Sequence, residues 1–271
     1  DMLWIYDLSN SVLCALILVI FVGVALAGQL LTRNLVRQFF SQALEDHNEA
    51  VGAFIGTYGV FYGITLGLIA VATWENFKEL EELVDREAAA VAALDNDVSA
   101  LPDPLGNELR VMLRAYVDDL VDRAWPEHRL GRIPDDADDH IGAFRLRLTA
   151  FEPKTERESI LFVEALRQLN RSLELRRERL SNLDTGLPAI LWLVVLVGAV
   201  INVTLLYILH IEPLRTHLLL TALVSTFVGL MIFLIAALDH PYLGGVGIDP
   251  GPFESLRRGQ LVPAKVANVK P

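Results

Sequence analysis

Residues that could perform chemistry are few and scattered in this chain of 271 residues. The single cysteine, Cys14, lies within an apolar stretch, so the sequence offers no intrachain disulfide and no cysteine-based zinc or iron–sulfur site. Four aspartates fall between Pro134 and Asp139, but this run lacks the glycine and terminal glutamate of a calcium-binding loop. Since no nucleophile–base pair or phosphate-binding loop can be recognised, we expect no enzyme activity, no metal and no other cofactor.

A first polar segment, which precedes the second apolar stretch, is a candidate site. His47, Asn48 and Glu49 stand there, and acidic or amide side chains in a first turn cap a helix and complement its dipole. The alternative is a ring of polar groups at the outer mouth of a pore. Metal binding by His47 is disfavoured.

A second candidate segment follows the last apolar stretch. It carries Asp239, Pro241, Tyr242 and Gly244 and continues through further prolines and glycines to Glu254. Because these residues favour turns over helices, we predict a shaped, non-helical loop at the membrane surface.

The elements that must position these residues follow from an excess of apolar side chains. Hydrophobic residues make up 53% of the chain and charged residues 21%, and the mean hydropathy is +0.40. The excess lies in four stretches without charges, each long enough to cross a bilayer as a helix. They cover residues 9–32, 50–74, 186–211 and 216–238. The sequence therefore predicts an all-α integral membrane protein with four transmembrane helices, for which the lipid bilayer is a partner.

A polar block, residues 75–185, separates the second and third spans. It holds 25 acidic and 16 basic residues, so its net charge of −9 accounts for most of the −11 of the chain. This acidity argues against nucleic-acid binding. Residues spaced by three and four continue one helical face beyond the second span and include a single charged residue, Glu87. They are Phe77, Leu80, Val84, Glu87, Val91, Leu94 and Val98.

Further helices are predicted inside this block. One covers Leu105–Ala124 and is followed by Pro126 as a breaker, and a short one lies near Ile141–Phe151. A last helix approaches the third span with an apolar stripe of its own. The stripe comprises Phe162, Leu166, Leu169, Leu173, Leu180 and Leu183.

The orientation follows from basic residues near the span ends. Eight Lys and Arg fall inside if the polar block is cytoplasmic, and three fall outside. We therefore predict that the block, the segment 239–271 and both termini are cytoplasmic.

The second span is the candidate pore helix, since its three stripes differ in size and polarity. Small residues line an arc of roughly 80°, which allows close packing of helices. They are Gly52, Gly56, Gly59, Gly63 and Gly67. Bulky apolar residues recur at every fourth position on another face, at Val60, Ile64 and Leu68. A third, partly polar stripe is an alternative pore face and comprises Phe54, Tyr58, Phe61 and Thr65.

Several motifs in the chain resemble a family of bacterial membrane proteins named bestrophin-like. The resemblance covers residues 40–255 and rests on the second span, on Trp125-Pro126 and on Asp239-His240-Pro241-Tyr242. Further matching positions are Glu87-Ala88, Leu101-Pro102, Leu109-Arg110, Tyr116 and Asp249-Pro250-Gly251-Pro252-Phe253.

More distantly, the chain is similar to the bestrophins, which are pentameric anion channels with four membrane helices per subunit. Leu66-Gly67 and Trp74-Glu75 match their second helix, so the resemblance implies a pore neck at Val60, Ile64 and Leu68. It also implies a homo-oligomer, most simply a pentamer, in the bacterial inner membrane that passes small inorganic anions such as chloride. The segment after the fourth span lacks the dense acidic run of the bestrophin calcium clasp, so we do not expect calcium gating.

Two other functions remain open from the sequence. The acidic helices also suit a membrane-anchored scaffold or signalling protein whose cytoplasmic block binds a partner. The plan of four spans with a large block after the second is also found in proton- or cation-conducting subunits of motor-like complexes. Neither Asp, Glu, Lys nor Arg lies inside a span, which disfavours an ion-coupled pump.

Overall fold

The structure is a computed structural model that describes residues 8–40, 44–134, 139–209, 211 and 213–259. Within this part the chain is helical and contains no strand. The helices are α1 (Asn10–Phe40), α2 (Leu44–Ser99), α3 (Leu105–Asp119), a π-helical turn (Leu120–Ala124), α4 (Trp125–His128), α5 (Asp139–Thr149), α6 (Glu156–Ser181), α7 (Ala189–Ile208), α8 (Leu214–Asp239) and α9 (Gly251–Gly259).

Four helices are long and apolar enough to cross a membrane, as the sequence predicts. These segments are Asn10–Val36, Asn48–Ser99, Ala189–Ile208 and Leu214–Asp239. The all-α class with four candidate spans is therefore confirmed. The chain divides into two compact units, of which the first comprises Asp1–Phe77, Gly186–His240 and Gly244–Val246, and the second Lys78–Thr185, Pro241–Leu243 and Gly247–Pro271.

The core of the first unit lies where α2 packs against α7 and α8. Tyr62, Leu66 and Ile69 of α2 contribute to a buried cluster with residues of both other helices. The Tyr62 hydroxyl donates a hydrogen bond of 2.8 Å to the carbonyl oxygen of Val195 in α7. Gly198 of α7 makes room for the Tyr62 ring, since a Cβ there would lie 2.3 Å from it. One face of α2 is thereby fixed against its own chain.

The second unit contains the C-terminal half of α2 and the helices from α3 to α6, with α9. All seven residues of the face predicted from Phe77 to Val98 are buried, including Glu87 at 0% exposure. The helix predicted at Leu105–Ala124 corresponds to α3 and the π-helical turn.

Pro126 does not end this helical run, so its assignment as a breaker is wrong. The run continues through α4 to His128, and the Trp125 N–H bonds to the carbonyl of Leu120, five residues back. Proline has no N–H to give to a regular helix, and the wider π-helical turn precedes the position where that donor is missing.

The buried face of α6 differs from the predicted apolar stripe. Only Leu169 and Leu183 of that stripe are fully buried, whereas Arg176 and Arg179 are buried beside Ser172 and Leu175. Apolar periodicity missed this face because two of its members are arginines.

The segment after α8 is only partly a loop. Asp239 is the last residue of α8, and α9 begins at Gly251. The prediction that prolines and glycines keep the whole segment non-helical is therefore wrong for its last part. Pro252 is the second residue of α9, where the missing N–H of proline is tolerated.

Candidate functional site

The surface of α2 within the first unit shows which residues are available to anything outside the chain. Val60, Ile64 and Leu68 are 60%, 56% and 67% exposed. At 100° per residue they lie opposite the buried face that carries Tyr62 and Leu66. These three apolar side chains therefore form a continuous stripe that is left uncovered by the described residues of their own chain, and it is called here the apolar face.

The glycine stripe flanks the apolar face on one side. At each of Gly52, Gly56, Gly59, Gly63 and Gly67, a Cβ would meet nothing within 4 Å. The small residues therefore do not serve packing within the chain. They leave an open, shallow groove along α2, called here the glycine flank.

The residues of the partly polar stripe, on the other side of the apolar face, differ in their exposure. Phe54 and Phe61 are 61% and 68% exposed and form an aromatic flank. Tyr58 instead is half-buried, and its hydroxyl donates a hydrogen bond of 2.8 Å to the Gly198 carbonyl. The Thr65 hydroxyl bonds back to the carbonyl of Phe61 at 2.9 Å. Only the two phenylalanines are therefore fully directed outward.

The residues proposed for an outer vestibule lie in the first turns of α2. The helix begins at Leu44, so Asn48 is inside it and does not cap it. Glu49 is exposed, Asn48 is half-buried, and the side chain of His47 lies outside the described part of the chain.

Asp239 joins the end of α8 to the start of α7. Its Oδ1 accepts a hydrogen bond of 2.5 Å from the Leu187 N–H, and its Oδ2 accepts one of 2.9 Å from the indole of Trp192. The next residue, His240, packs against Gly186, where a Cβ would lie 2.7 Å from the imidazole. This carboxylate is buried and accepts a hydrogen bond at each oxygen, so it fixes the geometry where the two spans meet.

The Pro241–Tyr242 pair and Ile248 belong to the second unit, where they lie close to Trp125. The Ile248 N–H donates to the Pro241 carbonyl at 2.7 Å, and the Trp125 indole donates to the Ile248 carbonyl at 3.1 Å. Tyr242 is fully buried with its ring 6.4 Å from that of Trp125. Gly244 has a φ of +75°, a conformation that favours glycine.

A buried charged cluster lies beside Trp125 in the second unit. Arg179 donates from Nε to Glu87 Oε2 at 2.6 Å and from Nη2 to Oε1 at 3.3 Å. Its Nη1 lies 3.1 Å from Nδ1 of His128, and its guanidinium carbon lies 5.1 Å from the centre of the Trp125 ring. A guanidinium can only donate, so the acceptor is Nδ1 and the histidine proton is on Nε2.

The pKa directions in this cluster follow from burial and charge. Burial, followed by the charges of Arg179 and Arg176, lowers the pKa of His128 to about 3. Burial alone would lower the pKa of Arg179, but the charge and hydrogen bonds of Glu87 raise it. Burial raises the pKa of Tyr242. At neutral pH the cluster therefore holds a charged pair beside a neutral imidazole and a neutral phenol.

Sequence reasoning missed most of this cluster and a second polar contact in the first unit. Glu87 interrupts an apolar face and gave a signal, whereas His128 and Arg179 gave none. Between the spans, Gln29 Nε2 bonds to His217 Nδ1 at 3.1 Å, and His217 Nε2 bonds to the Leu206 carbonyl at 2.9 Å. This contact ties α1, α7 and α8 together. In the part of the chain that the structure describes, no three His, Cys, Asp or Glu residues are grouped to hold a metal ion.

Residues 19–253 of the chain match the family model of the Bestrophin-like domain. The chain belongs to the bestrophin-like family. It is a membrane protein, and the resemblance seen in its motifs is thereby confirmed. No curated protein matches it in sequence.

Several solved structures share the fold of this bestrophin-like protein. Two are crystal structures of substituted forms of a bacterial bestrophin homolog from Klebsiella pneumoniae. One has a TM-score of 0.64 at 14% identity and covers 90% of this chain and 96% of its own. The other has a TM-score of 0.59 at 15% identity and covers 90% and 95%. A further crystallised membrane protein has a TM-score of 0.61 at 15% identity and covers 93% and 97%. At these identities the likeness concerns the fold.

Proposed function

We propose that the protein is a homo-oligomeric ion channel, selective for small inorganic anions such as chloride, whose pore neck is the apolar face of α2. One observation carries the proposal. In a four-span bestrophin-like chain, Val60, Ile64 and Leu68 are exposed directly opposite the face by which α2 is fixed to its own subunit. If copies assemble with these side chains toward a common axis, three apolar rings form a constriction that gates by dewetting.

The two flanks of α2 supply complementary surfaces for such an assembly. The aromatic flank is a ridge of Phe54 and Phe61, and the glycine flank is a groove in which a Cβ would meet nothing. A ridge of one copy against the groove of the next is a head-to-tail contact, which closes into a ring when the rotation fits. Small residues allow the backbones to approach closely in the membrane. Five copies are the number that the bestrophin resemblance implies.

The charge distribution supports an apolar gate over a charged filter. The α2 segment Ala50–Trp74 contains no Asp, Glu, His, Lys or Arg, and the acidic residues are concentrated in the polar block. Selectivity would then arise from weak contacts along the pore. In the proposed orientation, in a bacterial inner membrane, the polar block and both termini are cytoplasmic.

The test is chloride flux from liposomes that contain the purified protein alone. We expect flux in the wild type and increased flux after Val60→Ala combined with Ile64→Ala, because the neck becomes wider and less apolar. The matched control is Leu219→Ala with Leu223→Ala on α8, which removes two equally exposed leucines four residues apart and leaves the flux unchanged.

Absence of flux from a stable ring would overturn the channel and favour the scaffold, whose partner would bind the acidic second unit. Flux of protons or cations in place of chloride would overturn the anion selectivity and favour the motor-like class. Equal flux from the wild type and a well-folded neck variant would overturn the assignment of the neck.

A further inference from the structure

A cleft in the second unit takes no part in the proposed conduction. It has a volume of about 440 Å³ and lies between the π-helical turn with α4 on one side and the start of α9 on the other. Its lining residues are Val121, Trp125, Pro126, Arg129, Asp249, Pro250, Gly251 and Glu254. A volume of this size is typical of sites for small organic ligands.

The walls of the cleft are held rigidly. Trp125 is buried, its indole donates to the Ile248 carbonyl, and its ring packs 6.1 Å from that of Phe253 in α9. Pro126 and Pro250 have fixed φ angles on opposite walls. A preformed site of this kind loses little entropy when it binds a ligand.

The cleft presents charges of both signs. Arg129 is exposed, and its guanidinium makes no hydrogen bond or ion pair with a described residue. On the facing wall, Asp249 uses Oδ1 to accept from the Gly251 N–H at 2.8 Å, and Glu254 bonds to Arg258. One uncommitted cation therefore faces two carboxylates that retain acceptor capacity.

We propose that this cleft binds a small zwitterion of the free amino acid class with an uncharged side chain. The carboxylate of the ligand would pair with Arg129, its ammonium group would pair with Asp249 and Glu254, and its side chain would lie against Trp125 and the two prolines. A simple anion would be repelled by the two acidic residues, and a simple cation would leave Arg129 without a partner of opposite charge. Only a ligand with both charges satisfies both walls.

Occupation of the cleft has a physical route to the pore helix, and this part of the inference rests on the proposed channel function. Trp125 forms a wall of the cleft and lies against the guanidinium of Arg179. Arg179 in turn is bonded to Glu87 of α2, the same continuous helix that carries Ile64. A ligand that shifts Trp125 therefore acts on the anchor of α2, and we expect it to change the chloride flux.

Binding is tested by calorimetry on the purified full-length protein in detergent, with L-alanine, L-proline and L-phenylalanine as probes. We expect at least one probe to bind with a dissociation constant below about 1 mM. Its N-acetyl and amide derivatives each lack one charge, and we expect their affinity to be lower by a factor of about ten or more. Arg129→Gln should weaken binding about tenfold, whereas Arg132→Gln, an exposed arginine outside the lining, should leave it unchanged.

Lack of binding by all three probes up to about 10 mM would overturn the site. Binding that is equal in wild type and Arg129→Gln would overturn its location, and equal binding of the derivatives would overturn the zwitterion. Because calorimetry does not depend on conduction, a failure of the channel proposal leaves this result intact. An unchanged flux in liposomes saturated with a bound probe would overturn the regulatory part alone.

Discussion

The buried pair of Glu87 and Arg179 shows how single residues hold the second unit together. Removing two charges from water costs several kcal/mol per ion, and attraction offsets this only if the remaining donors and acceptors are bonded. Both carboxylate oxygens and three guanidinium nitrogens have a partner, and the plane of the guanidinium rests on Trp125. The cluster is therefore stable only as a complete set.

His128 makes the stability of this cluster depend on pH. Its pKa is about 3 in the folded protein and near 6.5 in the unfolded chain, so the unfolded chain binds the proton first as the pH falls. The stability that neutral His128 contributes is fully present above pH 6.5 and declines by about 1.4 kcal/mol per pH unit down to about pH 3. We expect His128→Asn to flatten this dependence, because the amide oxygen can still accept from Arg179 but has no proton to gain.

The measurement is the apparent melting temperature of both proteins in detergent between pH 7 and pH 4. The exposed His140→Asn serves as the control and should follow the wild type. Parallel curves for wild type and His128→Asn would show that His128 is not the neutral acceptor described.

The sequence reveals only part of what happens at this scale. Glu87 is recognisable because it is the one charged residue on an apolar face with helical spacing. Arg179 and His128 come from distant parts of the chain, so their meeting depends on tertiary packing that no local pattern encodes. For the same reason the Gln29–His217 contact was not predicted.

At the scale of elements, the neighbouring helices α2 and α7 use glycine in two different ways. Gly198 of the neighbouring α7 is a packing glycine, because a Cβ there would collide with Tyr62. Gly63 of α2 faces open space in its own subunit, where a larger side chain meets nothing. Substitution of Gly198 therefore tests the packing within the subunit, and substitution of Gly63 tests the contact between subunits.

We predict opposite consequences for substitutions at these glycines. Gly198→Ala should destabilise the subunit by about 1–3 kcal/mol through overpacking. Gly63→Leu should leave the subunit folded and fill the groove, so that copies no longer close into a ring. Light scattering after gel filtration gives the oligomeric state, and circular dichroism gives the melting temperature. A Gly63→Leu protein with the oligomeric state of the wild type would exclude the glycine flank from the interface.

The helices were predicted correctly where an apolar pattern extends over many residues, and the errors lie at single prolines and arginines. Apolar length gave four candidate spans, and a stripe with spacings of three and four gave the buried face of α2 beyond the membrane. Pro126 and Pro252 were misread because proline is tolerated after a π-helical turn and near a helix start. The buried face of α6 was misplaced because arginines occupy it.

At the scale of the whole molecule, the sequence indicated the family and the class of fold, and both are confirmed. The candidate neck could be named from the sequence only by resemblance, because all three stripes of α2 are compatible with lipid, packing or a pore. The structure adds that Tyr58 is turned into the subunit, whereas the part of the chain that the structure describes leaves the apolar face and its two flanks uncovered.

Thiol modification during flux shows directly whether the apolar face of α2 lines an anion pore. The protein for this test carries Cys14→Ser with Ile64→Cys, and its control carries Cys14→Ser with Leu223→Cys, an equally exposed position on α8. A water-soluble, charged thiol reagent is added to liposomes while chloride flux is recorded. We predict that the reagent changes the flux strongly in the Ile64→Cys protein and leaves the control unaltered. Equal flux before and after modification in the Ile64→Cys protein, with the thiol shown to be unreacted, would contradict it.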